Sequence, residues 1–159
     1  MVFRKGQGAT EYLVLLAVVL IIALISIALL GFFPGLATDA KKTQSDTYWR
    51  GQASPFRVLD HTIATSNGVM TLSVQNSGSD KITLNAYAIG GTAVTGLNTS
   101  FQGGETKNIN LTLGTNPCTG ATRYEILGTQ IMFNYTTINS LAKVQGGDAP
   151  TKSLVGTCS

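Results

Sequence analysis

Charge is scarce in this chain: only 12% of its 159 residues are Asp, Glu, Lys or Arg, and it carries one His, one Trp and two Cys. Each shortage excludes a class of function. With a single His there is no spaced His/Cys cluster for zinc, and no acidic loop offers calcium its oxygen ligands. Gly90-Gly91 and Gly103-Gly104 match no phosphate loop and read as turns. The formal charge is +3, but Arg4 and Lys5 supply two of the eleven cations. The nine that remain face eight anions, so no basic stripe is left to bind nucleic acid. Asp60-His61 is the one pairing that suggests catalysis. Neighbouring strand residues point to opposite faces, and a chain this rich in Ser gives a Ser-His-Asp reading no information. Neither enzymatic activity nor a cofactor is expected. An ordinary secretory signal would place its cleavage site after an apolar segment, and no convincing one stands there.

What is present begins with a long apolar run. From Tyr12 to Phe33 there are 22 residues without a charge, sixteen of them Leu, Ile, Val or Phe. As a helix this run is roughly 33 Å long, the thickness of a bilayer core. Its large apolar side chains contribute about −5 to −10 kcal/mol to insertion, and Glu11 at the edge costs less than the roughly 3 kcal/mol of a mid-helix carboxylate. Cations before the run predict an N-terminus left in the cytoplasm and the remainder outside. The run has no polar face, so it requires burial all round, in lipid or among other helices. Ser26 is expected to bond back to a carbonyl one turn earlier. Gly31 to Gly35, with Pro34, offers a bend. The polar segment after it carries the helix on to about Arg50, and Pro55 closes it. Tyr48 and Trp49 at this neck are expected to pack against the following domain.

From Phe56 onward the pattern has period two. Met70, Leu72 and Val74 alternate with Thr71 and Ser73. Residues 81–89 place Ile82, Leu84, Ala86 and Ala88 on one side, and residues 108–113 do the same with Ile109, Leu111 and Leu113. One longer stretch, 124–135, aligns Ile131, Phe133 and Tyr135. Asn, Gly, Ser and Pro clusters punctuate these runs. The pattern predicts an α+β chain: a long N-terminal apolar helix followed by an antiparallel β-sandwich head. The expected division is a leader over 1–6, a helix over 7–54 (apolar part 12–33, neck 34–54) and a head over 55–159.

The order of residues at the start is unusual. Lys5-Gly6-Gln7-Gly8-Ala9 precedes the apolar run, so a cut there removes only the cations and leaves the helix on the mature protein. Lys-Gly, then Gln, small residues, Glu11-Tyr12 and an apolar helix resembles the class III signal peptide of archaeal type IV-like pilins. The resemblance covers about 30 residues, with Ala9 where the family often has Ser. It implies cleavage by a prepilin peptidase between Gly6 and Gln7, which makes Gln7 the first mature residue and Glu11 the fifth. It implies a subunit stored in the cytoplasmic membrane, then moved by an assembly ATPase and a membrane platform protein into a homopolymer held by helix–helix packing. The filament is expected at the cell surface, in adhesion; archaeal flagellins share the plan but usually begin the mature helix differently. Arg4 and Lys5 must leave first, because both would be unpaired charges in a dry helical core. Glu11 is then expected to attract the new terminal amine of a neighbouring subunit and set axial register. It also stands near the positive end of its own helix dipole. The alternatives are a Glu11 that marks the membrane interface of a plain single-pass anchor carrying a surface binding module, and a minor or flagellin-like subunit.

On an exported chain, Cys118 and Cys158 are expected to form a disulfide, the alternative being two reduced, buried thiols. Asn98, Asn110 and Asn134 each open an Asn-x-Ser/Thr sequon. On an outward-facing head these are glycan acceptors, although Asn- and Thr-rich strands also produce such triplets by chance.

Overall fold

The computed structural model describes residues 7–147 and 149–159, with the backbone alone at residues 7, 9, 31–36 and 150. The leader, with the expected cleavage residue Gly6, lies outside the described residues, as does the side chain of Gln7.

Helix α1 spans Gln7–Asp46. Leu, Ile, Val and Ala fill its first half, and α1 remains helical through residues 31–35, where the sequence offers a bend. Ser26 Oγ donates to the Ile22 carbonyl at 2.8 Å, so its hydroxyl is satisfied within the helix as expected. A π-helical turn, Thr47–Gln52, ends the helical stretch, with Ala53 N–H donating to Tyr48 O at 2.8 Å. The wider turn sets Trp49 inward, where it is 2% exposed. Its ring stands edge-on to Phe133, 6.4 Å between centroids, and its Nε1 donates to Lys152 O at 3.2 Å. The neck aromatic packs on the sheet as the sequence suggests.

The chain divides into two compact units, Met1–Ala40 and Lys41–Ser159. The second holds ten strands: β1 (Phe56–Ile63), β2 (Val69–Asn76), β3 (Ile82–Ile89), β4 (Thr92–Val94), β5 (Thr99–Phe101), β6 (Thr106–Thr112), β7 (Arg123–Ile126), β8 (Ile131–Thr137), β9 (Ala142–Gly146) and β10 (Leu154–Thr157). They form a three-stranded sheet β1-β2-β6, a five-stranded sheet in which β3 pairs β4, β5 and β8 and β8 pairs β9, and a two-stranded ribbon β10-β7. All named pairings are antiparallel. The sheets share one core. Phe56 of β1 meets Phe101, Phe133 and Tyr135 at 5.3 to 5.6 Å between ring centroids, and Tyr87 OH of β3 donates to Asn110 O of β6 at 2.8 Å.

Period two places β2 and β8 as read: Met70, Leu72, Val74, Ile131, Phe133 and Tyr135 are buried. In β6, Leu111 and the following Leu113 are buried and Ile109 is half-buried. Two readings change. In β3 a bulge between Leu84 and Ala86 shifts the register by one. Beyond it Tyr87 and Ile89 face the core, and Ala86 and Ala88 do not. The shift buries the two large side chains in place of two methyl groups, a larger hydrophobic gain. The stretch 124–135 is also not one strand. A 3₁₀ turn at Gly128–Gln130 breaks it, and β7 and β8 join different sheets. Gly128 fits there because a Cβ would collide with the Ala149 carbonyl.

Candidate functional site: an exposed apolar helix, and the polar points of the head

Thr10–Leu30 forms 21 residues of helix long and apolar enough to cross a membrane by length and composition. No residue of it is buried within the chain. Leu13, Val14, Leu15 and Leu16 are consecutive, so they point in four directions around the axis, and their exposures run from 43% to 65%. The helix therefore presents apolar surface on every side. Its backbone needs nothing, because each N–H beyond the first turn is bonded within the helix. Its side chains need everything, at about 25 cal/mol per Å² of apolar surface that must leave water.

Glu11 is exposed on this helix beside Thr10, Val14 and Leu15. The helix begins at Gln7 and has no acidic residue in its first turn. Glu11 is the fifth residue of the described helix.

In the head, Cys118 and Cys158 are joined by a disulfide, with Cα atoms 5.7 Å apart. It ties the turn before β7 to the end of β10. The three sequon asparagines do not come together. Asn98 is exposed in the loop before β5, and Asn110 is exposed on β6, an outer strand of its sheet. Asn134 is half-buried in the middle of β8, paired between Ala86 and Val144. Asn98 and Asn110 offer an open approach to a bulky modification, and Asn134 a more crowded one.

Asp60 and His61 do diverge, but not as a relay. The Asp60 carboxylate accepts from the backbone N–H of His61 at 2.9 Å, and the imidazole Nδ1 is 2.6 Å from Tyr124 OH. Tyr124 is a partner that sequence reading missed. The two lie 63 positions apart in chain order, and no spacing marks them. Two structural amides were missed as well. Buried Gln145 on β9 accepts from Phe56 N–H at 2.8 Å and donates to Phe56 O at 2.7 Å. Buried Asn76 donates to Asp80 O and Gln102 O at 2.8 and 3.0 Å and accepts from Gly78 N–H at 3.0 Å. Among the described residues there is no cluster of three metal-ligating side chains.

No protein-family model matches this chain, and no curated protein does.

Proposed function

We propose that the chain is the structural subunit of an extracellular type IV-like pilus of archaeal type, serving surface attachment. The observation that carries the reading is the helix of Thr10–Leu30, apolar on every side and with none of it buried by the rest of the chain. Such a helix is stable in lipid, where its backbone is already satisfied, and equally stable among copies of itself. A monomer in water satisfies neither condition. The precursor rests in the membrane with its cationic leader in the cytoplasm. A prepilin peptidase cuts between Gly6 and Gln7, and an assembly ATPase and platform protein transfer the helix to the filament core. There each lipid contact is replaced by Leu, Ile or Val of a neighbour, and Glu11 meets the terminal amine of the next Gln7. That pair is dry, so it sets register strongly: moving either partner away leaves a buried charge unpaired.

The test is electron microscopy of material sheared from cells, with N-terminal sequencing of the main band and a Glu11→Ala variant in parallel. Filaments whose subunits begin at Gln7, lost in Glu11→Ala while membrane residence is kept, are expected. Fibres that retain Arg4 and Lys5 would overturn the reading. So would surface function that is indifferent to Glu11→Ala without any filament, which is the behaviour of a single-pass anchor.

A further inference from the structure

The outward face of the five-stranded sheet is bare of charge. Leu84, Ile89 and Phe133 line its inward face and are fully buried. The side chains that alternate with these point away from the core. Across the middle of that outer face runs the rung Ala86, Asn134, Val144. On one side of it Met132 pairs with Ala88, and on the other Thr136 stands between Thr83 and Ala142. Val144 is 61% exposed, Ala142 is exposed, and Ala86, Ala88 and Met132 are half-buried. No Asp, Glu, Lys or Arg occupies any of the three rungs. A charge-free sheet face in contact with water adheres to other apolar surfaces unless something covers it. Asn134 is at its centre and opens the sequon Asn134-Tyr135-Thr136. Asn134 and Thr136 lie on this same face, because they are two residues apart in one strand. Among the described residues none hydrogen-bonds the Asn134 carboxamide, whereas Thr136 Oγ1 accepts from Asn85 Nδ2 at 2.6 Å. The other two sequon asparagines have different surroundings. Asn98 is in a loop, and Asn110 shares its rung with Thr71 and Thr62, both polar.

We propose that Asn134 carries an N-linked glycan and that this glycan is the cover of the outer face. In the transfer, the Asn134 amide nitrogen forms a bond to the anomeric carbon of a sugar. The bond from that carbon to the phosphate oxygen of a lipid-linked glycosyl phosphate donor breaks. The lipid phosphate leaves with the electron pair, and the amide gives up one proton to a base of the transferase, so nothing is oxidised or reduced. A pyranose ring has an apolar face of C–H groups and a rim of hydroxyls. Laid on Ala86, Ala88 and Val144, the C–H groups leave water together with the methyl groups, and the hydroxyls take over the contact with solvent. Small side chains suit such a cover, since they leave the face flat. β8 is paired on both sides, and Tyr135, between the two sequon residues, is only 8% exposed. The folded strand therefore has no way into an enzyme's cleft, and transfer precedes closure of the sheet. The outward direction of Asn134 then lets the head fold with the sugar in place. The proposal rests on export of the chain, which the pilus and the single-pass anchor share, and not on polymerisation.

The experiment is glycopeptide mass spectrometry of the full chain recovered from the surface of the cells that make it, followed by peroxide footprinting. The peptide that contains Asn134 should carry sugar. Met132 reports on the cover, and Met70, 0% exposed, is the internal control for folding. In detergent micelles, Met132 of the glycosylated chain should oxidise several-fold more slowly than Met132 of the same chain made in a host without N-glycosylation, with Met70 slow in both. Thr136→Val should leave Asn134 bare and Met132 fast, and Thr136→Ser should keep both the sugar and the protection. A bare Asn134 in surface material would overturn the proposal and leave export standing. A sugar on Asn134 with Met132 oxidised at one rate in both preparations would overturn the cover as well. Because the main comparison uses the unaltered sequence, it decides even where a variant does not fold.

Discussion

Between Leu13 and Leu30 every Leu, Ile and Val is at least 43% exposed, whereas Leu72, Leu84, Ile89 and Ile131 of the second unit are 0% exposed. The residue types are the same, and the difference lies in what the backbone demands. A helix closes its hydrogen bonds within itself and can stand alone wherever its side chains find an apolar solvent. A strand cannot, because its N–H and C=O groups point to neighbours, and it exists only as part of a sheet with a face to bury. The helical unit therefore takes its stability from its surroundings, and the sheet unit carries its own.

The sharpest way to break this comparison is to cut the same kind of mass from each region. Phe133→Ala should cost the head about 3–5 kcal/mol, because it removes a ring packed on both Trp49 and Phe56. Leu20→Ala, made in the unburied helix, should leave the head's thermal transition where it was. Differential scanning calorimetry in detergent separates the two, and an equal loss from both would erase the distinction drawn here. Next in size is the disulfide. Replacing both Cys118 and Cys158 by Ser should lower the head's stability by about 2–4 kcal/mol, with no change in the helical signal by circular dichroism. Smallest is Gln145→Leu. It keeps most of the volume but strands the Phe56 N–H and C=O, at a cost of about 1–3 kcal/mol read from urea unfolding.

The helix was legible because its signal is local: twenty-two residues without charge leave few other readings. So was the inward face of β2, where alternation runs without interruption. The second half of β3 was not, because a bulge is an extra residue that strict alternation cannot register. Tyr87 and Ile89, the bulkiest apolar residues there, were the signal that Ala86 and Ala88 would be displaced. The break between β7 and β8 carried its own mark in Gly128, a residue that weakens a strand interior. The His61–Tyr124 contact had none, since it joins β1 to a ribbon whose position depends on the whole fold. The Cys118–Cys158 bond was legible from cysteine count and from the expectation of export, without any knowledge of geometry.

The amide of Gln145 has one further consequence. β1 and β9 are the margins of their sheets, and Phe56, near the start of β1, would otherwise hold out a bare donor and acceptor. One side chain occupies both, imitating a rung of backbone pairing. A foreign strand that arrived at this seam would find the place taken. The seam between the three-stranded and five-stranded sheets is thereby guarded at this point against edge-to-edge aggregation.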